Sequence, residues 1–518
     1  MKNNGKFKVT LTSLAFPDRD LSPALVGLKL CAQQDAFAAD KTVFSIKQFQ
    51  YSVNPEYAFG KLLEEKADLY GFSTYVWNIH ESLALAEKLK TALPGTAIVF
   101  GGPEASGLAG FILDKYSFVD VVVLGEGEVV FTELLKKFCT GETPAGLAGI
   151  AYRDEKNGVV VNPPGTAPFS LNGRKSQSMD EEYLAYLDGA PRPVTVTFET
   201  MRGCPFKCRY CSWAVGGGNV RFKPLSEVFE GLKPLLAHPK TGRVFITDSD
   251  LFVNKKRGKE ILRFLLENNT RKLPVIFEMN PELVDDEIVE LVAQFDEDEF
   301  AFGLQSSSEA VLESINRKFN PHLYRQNVQK LRKAKPDSKI WFSLIVGLPG
   351  DTLETFKDSL NFAIAMRPHS LYIHEFLCLP GTEFYKDQEK YGISCQTEAP
   401  HKLLYHRTFS AGDYYQAKKI GFYVSLLHYF PEIKDSFFEM HKAGRKLTFE
   451  GTLLSLYVEF MVMLEDRIDL LNGNAVEDIP SFVFDEYYKK IGADMEKTAM
   501  LKDLFNEFQC EKGEKKYA

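Results

Sequence analysis

Short apolar runs alternate with helical patterns through the first 140 residues. The runs are rich in β-branched and aromatic residues and predict strands at 7–14, 42–46, 69–72, 97–100 and 118–124. Between them, leucines recur at helical spacing, most clearly at Leu85, Leu89 and Leu93 before the stop signal Pro94-Gly95. Strand alternating with helix predicts a parallel, doubly wound sheet, so we assign residues 1–140 to a Rossmann-like α/β domain.

A second series of strand and helix patterns occupies residues 194–390. Apolar runs predict six strands there, at 194–200, 244–247, 275–278, 300–304, 340–346 and 371–375. Six βα units are too few for a closed eight-stranded barrel and instead predict a partial (β/α)6 barrel. We expect its functional groups at the carboxyl ends of the strands.

Two further segments lack this alternation. Residues 141–193 are predicted to form a linker that contains a hairpin around Lys156-Asn157-Gly158, and its part 162–193, rich in Pro, Gly and Ser, is predicted to run over the following domain. Residues 391–518 carry leucines and aromatic residues at helical spacing, which predicts a mainly helical C-terminal domain. We expect that domain to cap the barrel mouth, and no motif in it indicates chemistry.

Composition narrows the class of protein. A chain of 518 residues is long enough for more than one domain. A formal net charge of −8 argues against nucleic acid as the main partner, and no apolar run has the length that spans a bilayer. The start of the chain lacks the apolar core of a secretion signal, and most of the eight cysteines are scattered. We therefore expect a cytoplasmic protein.

Three cysteines form the one grouped set. Cys204, Cys208 and Cys211 follow a predicted strand with the spacing C-x3-C-x2-C. Three thiolates are one fewer than a closed structural zinc site needs and one fewer than a fully protein-ligated [4Fe-4S] cluster needs. If an iron–sulfur cluster binds here, its fourth iron is open to another ligand. The alternative is a set of buried or zinc-binding cysteines.

The sequence GCPFKCRYC resembles the cysteine motif of the radical S-adenosylmethionine (SAM) superfamily. The resemblance implies a [4Fe-4S] cluster on the three cysteines, with the open iron chelating the methionine part of SAM and Tyr210 near the adenine. It also implies SAM contacts at the strand ends. In TDSD, where the usual glycines are absent, the choice between the two aspartates is open. The implied SAM-binding residues are Tyr210, Asp248, Asp250, Glu278, Gln305, Ser306, Arg317 and Gly347.

The loops FSTYVWN, FGGPEASG and VVVLGEGE resemble the cobalamin-binding domain that precedes the radical SAM core in one large subfamily. The resemblance implies cobalamin contacts at Ser73, Thr74, Tyr75, Val76, Trp77, Gly101, Gly102, Pro103, Glu104, Gly125, Glu126, Gly127 and Glu128. The D-x-H-x-x-G motif that supplies a histidine to cobalt in mutases is missing, and His80 is expected at a helix start instead. Cobalamin would then bind base-off, and Trp77 or Tyr75 could pack on its lower face, although Trp77 could equally be a core aromatic.

These resemblances imply a class B radical SAM methyltransferase. In that group, SAM cleavage generates a 5′-deoxyadenosyl radical and cobalamin carries the methyl group, so the expected reaction is methylation of an unactivated carbon in a natural product or metabolite. The alternative is a cyclase or rearrangement enzyme without net methylation. A tRNA methylthiotransferase would need three more cysteines in the N-terminal domain, which has only Cys31 and Cys139, and an intact triplet argues against a non-catalytic cobalamin sensor. We expect a small-molecule or peptide substrate, an electron donor such as flavodoxin or ferredoxin, and a monomer.

Overall fold

In the computed structural model the described residues are 5–154, 156, 158–165, 170–214, 219–296 and 299–426. They divide into two units. The first comprises Met1–Glu297, Leu377–Lys390 and Cys395–Lys402, and the second comprises Asp298–Phe376, Tyr391–Ser394 and Leu403–Ala518. Each unit is described on its own.

The first unit begins with an α/β domain. Its elements are β1 (Phe7–Ala15), α1 (Pro23–Gln34), α2 (Ala36–Lys41), β2 (Thr42–Gln50), α3 (Pro55–Glu65), β3 (Leu69–Ser73), α4 (Ile79–Ala92), β4 (Ala97–Gly101), α5 (Pro103–Gly107), α6 (Ala109–Lys115), β5 (Val121–Val123), α7 (Gly127–Thr140), β6 (Ile150–Asp154) and β7 (Gly158–Asn162). The strands form one sheet of order β2-β1-β3-β4-β5-β6-β7. The four pairs β2–β1, β1–β3, β3–β4 and β4–β5 are all parallel, which confirms the predicted doubly wound sheet. The residues of β1 from Val9 to Leu14 are all buried, as expected for a central parallel strand covered on both faces.

The predicted hairpin is part of this sheet. Strand β6 pairs antiparallel with β5, and β7 pairs antiparallel with β6. The segment after it, expected as a linker, contains helix α8 (Glu181–Asp188). Lys29 of α1 forms a buried ion pair with Asp180 at 2.8 Å and a partly exposed one with Glu182 at 2.8 Å, so this segment docks on the N-terminal domain.

The rest of the first unit holds three strands of the predicted partial barrel. Its elements are β8 (Val194–Phe198), β9 (Met201–Arg202), β10 (Arg221–Phe222), α9 (Leu225–Ala237), β11 (Thr241–Ile246), α10 (Lys255–Asn268), β12 (Val275–Phe277) and α11 (Asp286–Val292). Strands β8, β11 and β12 form a parallel sheet of order β12-β11-β8. The loop between β1 and α1 joins its edge, because Thr195 N–H donates to Asp18 O at 2.9 Å and Asp20 N–H donates to Thr195 O at 3.2 Å.

The second unit holds the other three barrel strands. Its elements up to the third strand are β13 (Glu299–Gln305), α12 (Glu309–Ser314), α13 (Pro321–Ala334), β14 (Lys339–Val346), α14 (Leu353–Ile364) and β15 (Ser370–Glu375), and the strands form a parallel sheet of order β13-β14-β15. All six strands predicted for residues 194–390 are therefore present, three in each unit. This confirms the α/β fold class.

Short elements follow β15 along the chain. They are α15 (Glu383–Lys386), α16 (Gln388–Tyr391), β16 (Ser394–Cys395), β17 (Leu403–Tyr405) and α17 (Ala411–Leu426). Of the predicted helical C-terminal domain, residues 427–518 lie outside the described part of the chain. Among the described helices, none combines the length and the apolar character that crossing a membrane requires.

Candidate cofactor site

A cavity of about 440 Å³ lies in the first unit. The carboxyl ends of β3 and β4 and the loop after β5 line one side of it, and residues at the ends of β8 and β11 line the other. Nine of the thirteen residues predicted for cobalamin line this cavity: Ser73, Tyr75, Gly101, Gly102, Pro103, Gly125, Glu126, Gly127 and Glu128.

Hydrogen bonds fix the loop after β3 to its neighbours. Thr74 donates both its N–H and its hydroxyl to Gly101 O, each at 2.8 Å. Asn78 Nδ2 donates to Leu14 O at 3.0 Å, while its side-chain oxygen accepts from Tyr75 N–H at 2.7 Å. Both side chains are fully buried and neither lines the cavity. Thr74 therefore holds the end of β4 in place without itself lining the cavity.

Gly102 is a position where this site tolerates no side chain. Its φ is +99°, a backbone conformation that L side chains rarely adopt, and a Cβ there would lie 2.3 Å from Thr74 O. The close approach of the two loops leaves the Gly102 backbone facing the cavity.

The aromatic residues of FSTYVWN separate into two environments. Tyr75 lines the cavity, and burial raises the pKa of its phenol. Trp77 stacks on Tyr75 with ring centroids 4.5 Å apart but is 40% exposed and does not line the cavity. Phe16 also packs against Trp77, with 5.5 Å between ring centroids. Val76 does not line the cavity either. The structure thus places Tyr75, not Trp77, against the cavity.

The two acids of GEGE form ion pairs with the strands beside the cysteine loop. Glu128 Oε1 lies 2.8 Å from Arg202 Nη1, and Glu126 binds Arg221 through both carboxylate oxygens. Arg202 also binds Glu199 at 3.0 Å. Burial raises the pKa of Glu126, but hydrogen bonds and charge from Arg221 and Arg202 outweigh it and leave the pKa below its usual value. The GEGE loop is thereby tied to β9 and β10.

Glu104 points away from the cavity. It is 3% exposed, and its Oε1 lies 2.7 Å from His401 Nε2. His80 lies in the first turn of α4, as predicted, with its Nε2 3.0 Å from Ala399 O. Among the described residues, no histidine lines the cavity.

The cysteine loop follows β9. Gly203 has φ +96°, and a Cβ there would lie 2.3 Å from Asn219 O, so the turn into the loop requires glycine. Cys204 and Cys208 are buried and Cys211 is half-buried. Burial raises the pKa of the Cys204 thiol, and the nearby Cys208 raises it further.

The cysteines do not converge on one point. In the described part of the chain, no group of three His, Cys, Asp or Glu side chains is placed to hold a single metal ion. A zinc ion needs its ligands to meet at one atom, whereas each cysteine of a [4Fe-4S] cluster binds a different iron. The number of grouped cysteines, one fewer than a closed zinc site uses, is the feature that suits a cluster.

The two aspartates of TDSD already bind backbone groups. Asp248 accepts from Thr200 N–H at 2.8 Å, from Met201 N–H at 3.0 Å and from the Thr200 hydroxyl. Burial raises its pKa to about 6, although these hydrogen bonds act in the opposite direction. Asp250 accepts from Phe252 N–H at 2.8 Å and Asn280 N–H at 2.7 Å. Their observed contacts therefore shape the loops next to the cysteines.

The other two SAM candidates of the first unit are more accessible. Tyr210 is half-buried and directly precedes Cys211. Glu278 follows β12 with an exposed side chain, and its carboxylate has no hydrogen bond or ion pair in the described residues. Of the acids predicted to bind SAM, Glu278 thus has the carboxylate that is open to a ligand.

The second unit holds the remaining four SAM candidates. Gln305 and Arg317 are brought together at Gly303: Arg317 Nη2 donates to Gly303 O at 2.7 Å, and a Cβ on Gly303 would lie 2.6 Å from Gln305 Nε2. Ser306 is buried, with its hydroxyl 3.2 Å from that of Ser359. Gly347 has φ +87° and lies against Leu403 and Tyr414. Ser306 and Gly347 are thus in packed surroundings.

Several cavity residues were missed from the sequence. They come from α1, from the segment before α8 and from the ends of β8 to β10, and include Cys31, Arg174, Lys175, Glu199, Arg202 and Lys223. Lys223 Nζ lies 3.9 Å from Glu199 and 5.6 Å from the centroid of the Phe198 ring, and burial lowers its pKa. The one available signal was the run of charged residues that flanks the cysteine motif.

Comparison with known proteins agrees with this geometry. Residues 35–135 match the B12 binding domain family, and residues 198–363 match the radical SAM superfamily. The chain is 26% identical over 394 residues to the cobalamin-dependent radical SAM methyltransferase TokK of Streptomyces tokunonensis, covering 72% of this chain and 56% of TokK. It is 25% identical over 354 residues to the 2-(S-pantetheinyl)-carbapenam-3-carboxylate methyltransferase of Streptantibioticus cattleyicolor, covering 65% of this chain and 50% of that enzyme.

These curated relatives are longer proteins, and the chain spans about half of their length. A solved structure of the cobalamin-dependent S-adenosylmethionine radical enzyme OxsB has the same fold, with a TM-score of 0.65 at 13% identity, covering 98% of this chain and 79% of OxsB. The predicted pairing of a cobalamin domain with a domain for a [4Fe-4S] cluster and SAM is confirmed. The chain belongs to the radical SAM superfamily, in the group whose members carry a B12 binding domain ahead of the radical SAM domain.

Proposed function

We propose that this chain is a cobalamin-dependent radical SAM enzyme that transfers a methyl group to an unactivated carbon. The observation that carries the proposal is the cavity of the first unit. The glycine-bearing loops of the B12 binding domain line one side of it, and residues next to the cysteine loop line the other. A cavity between two such loops suits a reaction that uses both cofactors.

Cys204, Cys208 and Cys211 are proposed to hold the [4Fe-4S] cluster. Their number leaves one iron of the cluster without a side-chain ligand and therefore open to SAM. Asp248 accepts hydrogen bonds from the backbone N–H groups of Thr200 and Met201 and so stabilises the segment that leads into this loop.

For SAM, Glu278 is the proposed carboxylate for the ribose hydroxyls or the amine, because its oxygens have no partner in the described residues. Arg317 and Gln305 are proposed for the carboxylate end, since a guanidinium can bind a carboxylate through two hydrogen bonds. Tyr210, Asp250, Ser306 and Gly347 remain proposed contacts or supports.

For cobalamin, the proposed cradle is the backbone of Gly101, Gly102, Gly125 and Gly127, where the lack of side chains lets a large ring approach closely. Tyr75 is the proposed neighbour of the lower face, because it lines the cavity while Trp77 lies behind it. No histidine is among the described lining residues, so none of them would offer an imidazole ligand to cobalt.

The cofactors supply the difficult chemistry when bound: the cluster delivers the electron that cleaves SAM, and cobalamin carries the methyl group. The chain's own residues bind, orient and exclude water. Leu11, Phe72, Phe100 and Phe198 give the cavity apolar walls. Arg202 and Lys223 line the cavity with basic side chains, and Arg202 forms an ion pair with Glu128 of the GEGE loop.

The names of the relatives support methylation. TokK and the carbapenam enzyme are both named methyltransferases. We propose a small-molecule or peptide substrate, an external electron donor such as flavodoxin or ferredoxin, and a monomeric chain. A cyclase or rearrangement enzyme is the alternative that the experiment must separate.

The test is anaerobic turnover of cluster-reconstituted, cobalamin-loaded protein with SAM, dithionite and a panel of candidate substrates. Methylation consumes two SAM molecules per product, so we expect S-adenosylhomocysteine and 5′-deoxyadenosine together. Only 5′-deoxyadenosine would favour a cyclase. Neither product, from protein that holds cluster and corrinoid, would contradict an enzymatic function. Cys208→Ala is the control and should give no 5′-deoxyadenosine.

A further inference from the structure

Two chain segments that follow β15 complete the first unit. We call residues 377–390 and 395–402 the strap. The strap contacts the B12 binding domain at several places. Pro380 lies against Gly107, where an added Cβ would be 2.5 Å from the Pro380 Cβ. Lys115 Nζ lies 2.7 Å from Glu398. The strap is thus packed on helices α5 and α6.

The same strap contacts the cysteine loop. Glu383 Oε1 lies 2.9 Å from Arg209 Nε, and Phe384 N–H donates to Arg209 O at 3.5 Å. Arg209 stands between Cys208 and Tyr210. One element of the chain therefore touches both the domain proposed for cobalamin and the loop proposed for the cluster.

The most deeply buried polar contact of the strap is the pair Glu104 and His401. Both side chains are buried, and Glu104 Oε1 is 2.7 Å from His401 Nε2. His401 Nδ1 lies 3.3 Å from Gln396 O. Both ring nitrogens face acceptors, and only the protonated imidazole can donate from both. The contact is therefore an ion pair.

Glu104 is also the next residue after the cavity lining. Gly101, Gly102 and Pro103 line the cavity, and Glu104 points out of its back into the strap. A buried ion pair is weak evidence for net stability, because desolvation offsets the attraction, but its hydrogen-bond geometry holds its partners in one arrangement. Losing either charge would leave the other buried and unpaired.

We propose that Glu104 and His401 are positioning residues for the cavity, whose ion pair holds the Gly102-Pro103 backbone where the corrinoid must be bound. For the identity of the ligand this inference rests on the proposed function. It differs from the assignment made from the sequence, which placed Glu104 in contact with cobalamin. Neither residue touches a reacting atom.

The ion pair makes the position of the loop depend on pH. Besides Glu104, the titratable groups near His401 are Cys395, Tyr385, Cys378 and Glu398. Burial lowers the pKa of His401, but the hydrogen bond and charge of Glu104 outweigh it and leave the pKa above its ordinary value of 6.5. A histidine whose pKa is higher in the folded than in the unfolded state stabilises the fold. This stabilisation is complete at a pH below the pKa of the unfolded state and is lost as the pH rises through the pKa of the folded state.

The test compares Glu104→Gln and His401→Asn with Lys115→Gln. Glutamine keeps the shape and removes the charge, and asparagine tolerates the positive φ of +57° at His401. Lys115→Gln breaks the exposed pair with Glu398 between the strap and the same domain, so it is the matched control. Affinity for hydroxocobalamin is measured by absorbance titration at pH 6 and pH 8.5, and amide hydrogen exchange of residues 100–108 is followed without corrinoid.

We expect Glu104→Gln to bind hydroxocobalamin about tenfold more weakly at pH 6, the change that 1.4 kcal/mol of coupling produces. The affinity of the wild type for hydroxocobalamin should fall between pH 6 and pH 8.5. His401→Asn should bind hydroxocobalamin weakly at both pH values, and Lys115→Gln should show the same affinities as the wild type. Amide hydrogen exchange of residues 100–108 should be faster than in the wild type in Glu104→Gln and His401→Asn, and unchanged in Lys115→Gln. Wild-type affinity and exchange in Glu104→Gln would overturn the inference.

The arms of the experiment separate the two proposals. If the wild type binds no corrinoid, the proposed function is wrong, and the exchange data still decide whether the pair positions the loop. If Glu104→Gln does not fold, the pH dependence of the wild type decides instead, since a flat affinity between pH 6 and pH 8.5 contradicts the inference.

Discussion

Arg202 Nη1 lies 2.8 Å from Glu128 Oε1, and this ion pair joins the GEGE loop of the B12 binding domain to the strand that leads into the cysteine loop. Arg202 stands two residues before Cys204 and also binds Glu199. The two loops proposed for the two cofactors are therefore connected through one guanidinium.

Arg202→Gln tests this connection. Removing the guanidinium leaves three acids close together with too little positive charge, so we expect a loss of roughly 2 kcal/mol in the free energy of unfolding and weaker corrinoid retention. Arg192→Gln, which breaks the exposed pair with Asp18, is the control and should change stability by about 0.5 kcal/mol or less. Urea unfolding and gel filtration with hydroxocobalamin measure both. Equal effects of the two variants would contradict the prediction.

Gly102→Ala should damage the cradle. The new Cβ would meet Thr74 O, and alanine is strained at φ +99°, so we expect at least about 2 kcal/mol of destabilisation and loss of bound corrinoid. Gly110→Ala is the matched control, because a Cβ there has open space within helix α6 and should be neutral or stabilising by up to about 1 kcal/mol. Thermal unfolding and corrinoid content distinguish them. Full retention of corrinoid in Gly102→Ala would remove that glycine from the site.

Cys208→Ala should abolish the cluster. We expect about four iron atoms per wild-type chain after anaerobic reconstitution and loss of the visible absorption in the variant, because the triplet has no spare ligand. Cys139→Ala, in helix α7, should keep the wild-type iron content. Iron analysis and absorbance at matched protein concentration are the measurements. Zinc in place of iron, or an unchanged spectrum, would contradict the cluster assignment.

His80→Ala should leave the spectrum of bound cobalamin unchanged. His80 contacts Ala399 O and does not line the cavity, so it has no route to cobalt. Tyr75→Ala removes a lining side chain and should lower corrinoid affinity and alter the spectrum. A spectral shift in His80→Ala, with Tyr75→Ala silent, would reverse these roles.

Asp351 provides a pH test in the second unit. Its carboxylate accepts from Thr355 Oγ1 at 2.5 Å and Thr352 N–H at 3.1 Å at the start of α14, and burial raises its pKa to about 7. The folded state then holds the proton more tightly than the unfolded state, so stability falls as pH rises from about 4 to about 7.

Asp351→Asn should remove that fall. Relative to the variant, the wild type should lose on the order of 3 kcal/mol between pH 4.5 and pH 8. Asp358→Asn, an exposed aspartate in the same helix, should keep the wild-type profile. Urea unfolding across this pH range is the measurement, and parallel curves for wild type and Asp351→Asn would contradict the prediction.

The backbone of the site could be predicted from the sequence, and its charge partners could not. Apolar runs and glycines are local signals, so the strands, Gly102 and the cysteine loop were placed correctly in the fold. The partners of Glu104, Glu126 and Glu128 lie from 74 to 297 residues away in the chain. Which carboxylate meets a ligand and which meets an arginine is decided by tertiary packing.

The same limit applies to Asp248 and to the hairpin. From the sequence, an aspartate near the cysteines could equally bind a ligand or stabilise a loop. The structure shows the second role for Asp248, because its carboxylate accepts three hydrogen bonds from Thr200 and Met201. The pairing of β6 with β5 depends on an open sheet edge that the sequence does not reveal. The structural roles of short polar segments such as these cannot be predicted from the sequence alone.

The strap also sets an order of events during synthesis on the ribosome. Glu104 and His401 are separated by 297 residues, so at 5 to 20 residues per second the glutamate waits on the order of 15 to 60 s for its partner to emerge. Until then its carboxylate stays hydrated and the adjoining turn lacks its anchor. On the proposed role of the pair, the vitamin can therefore settle into its final position only after the ribosome has passed His401.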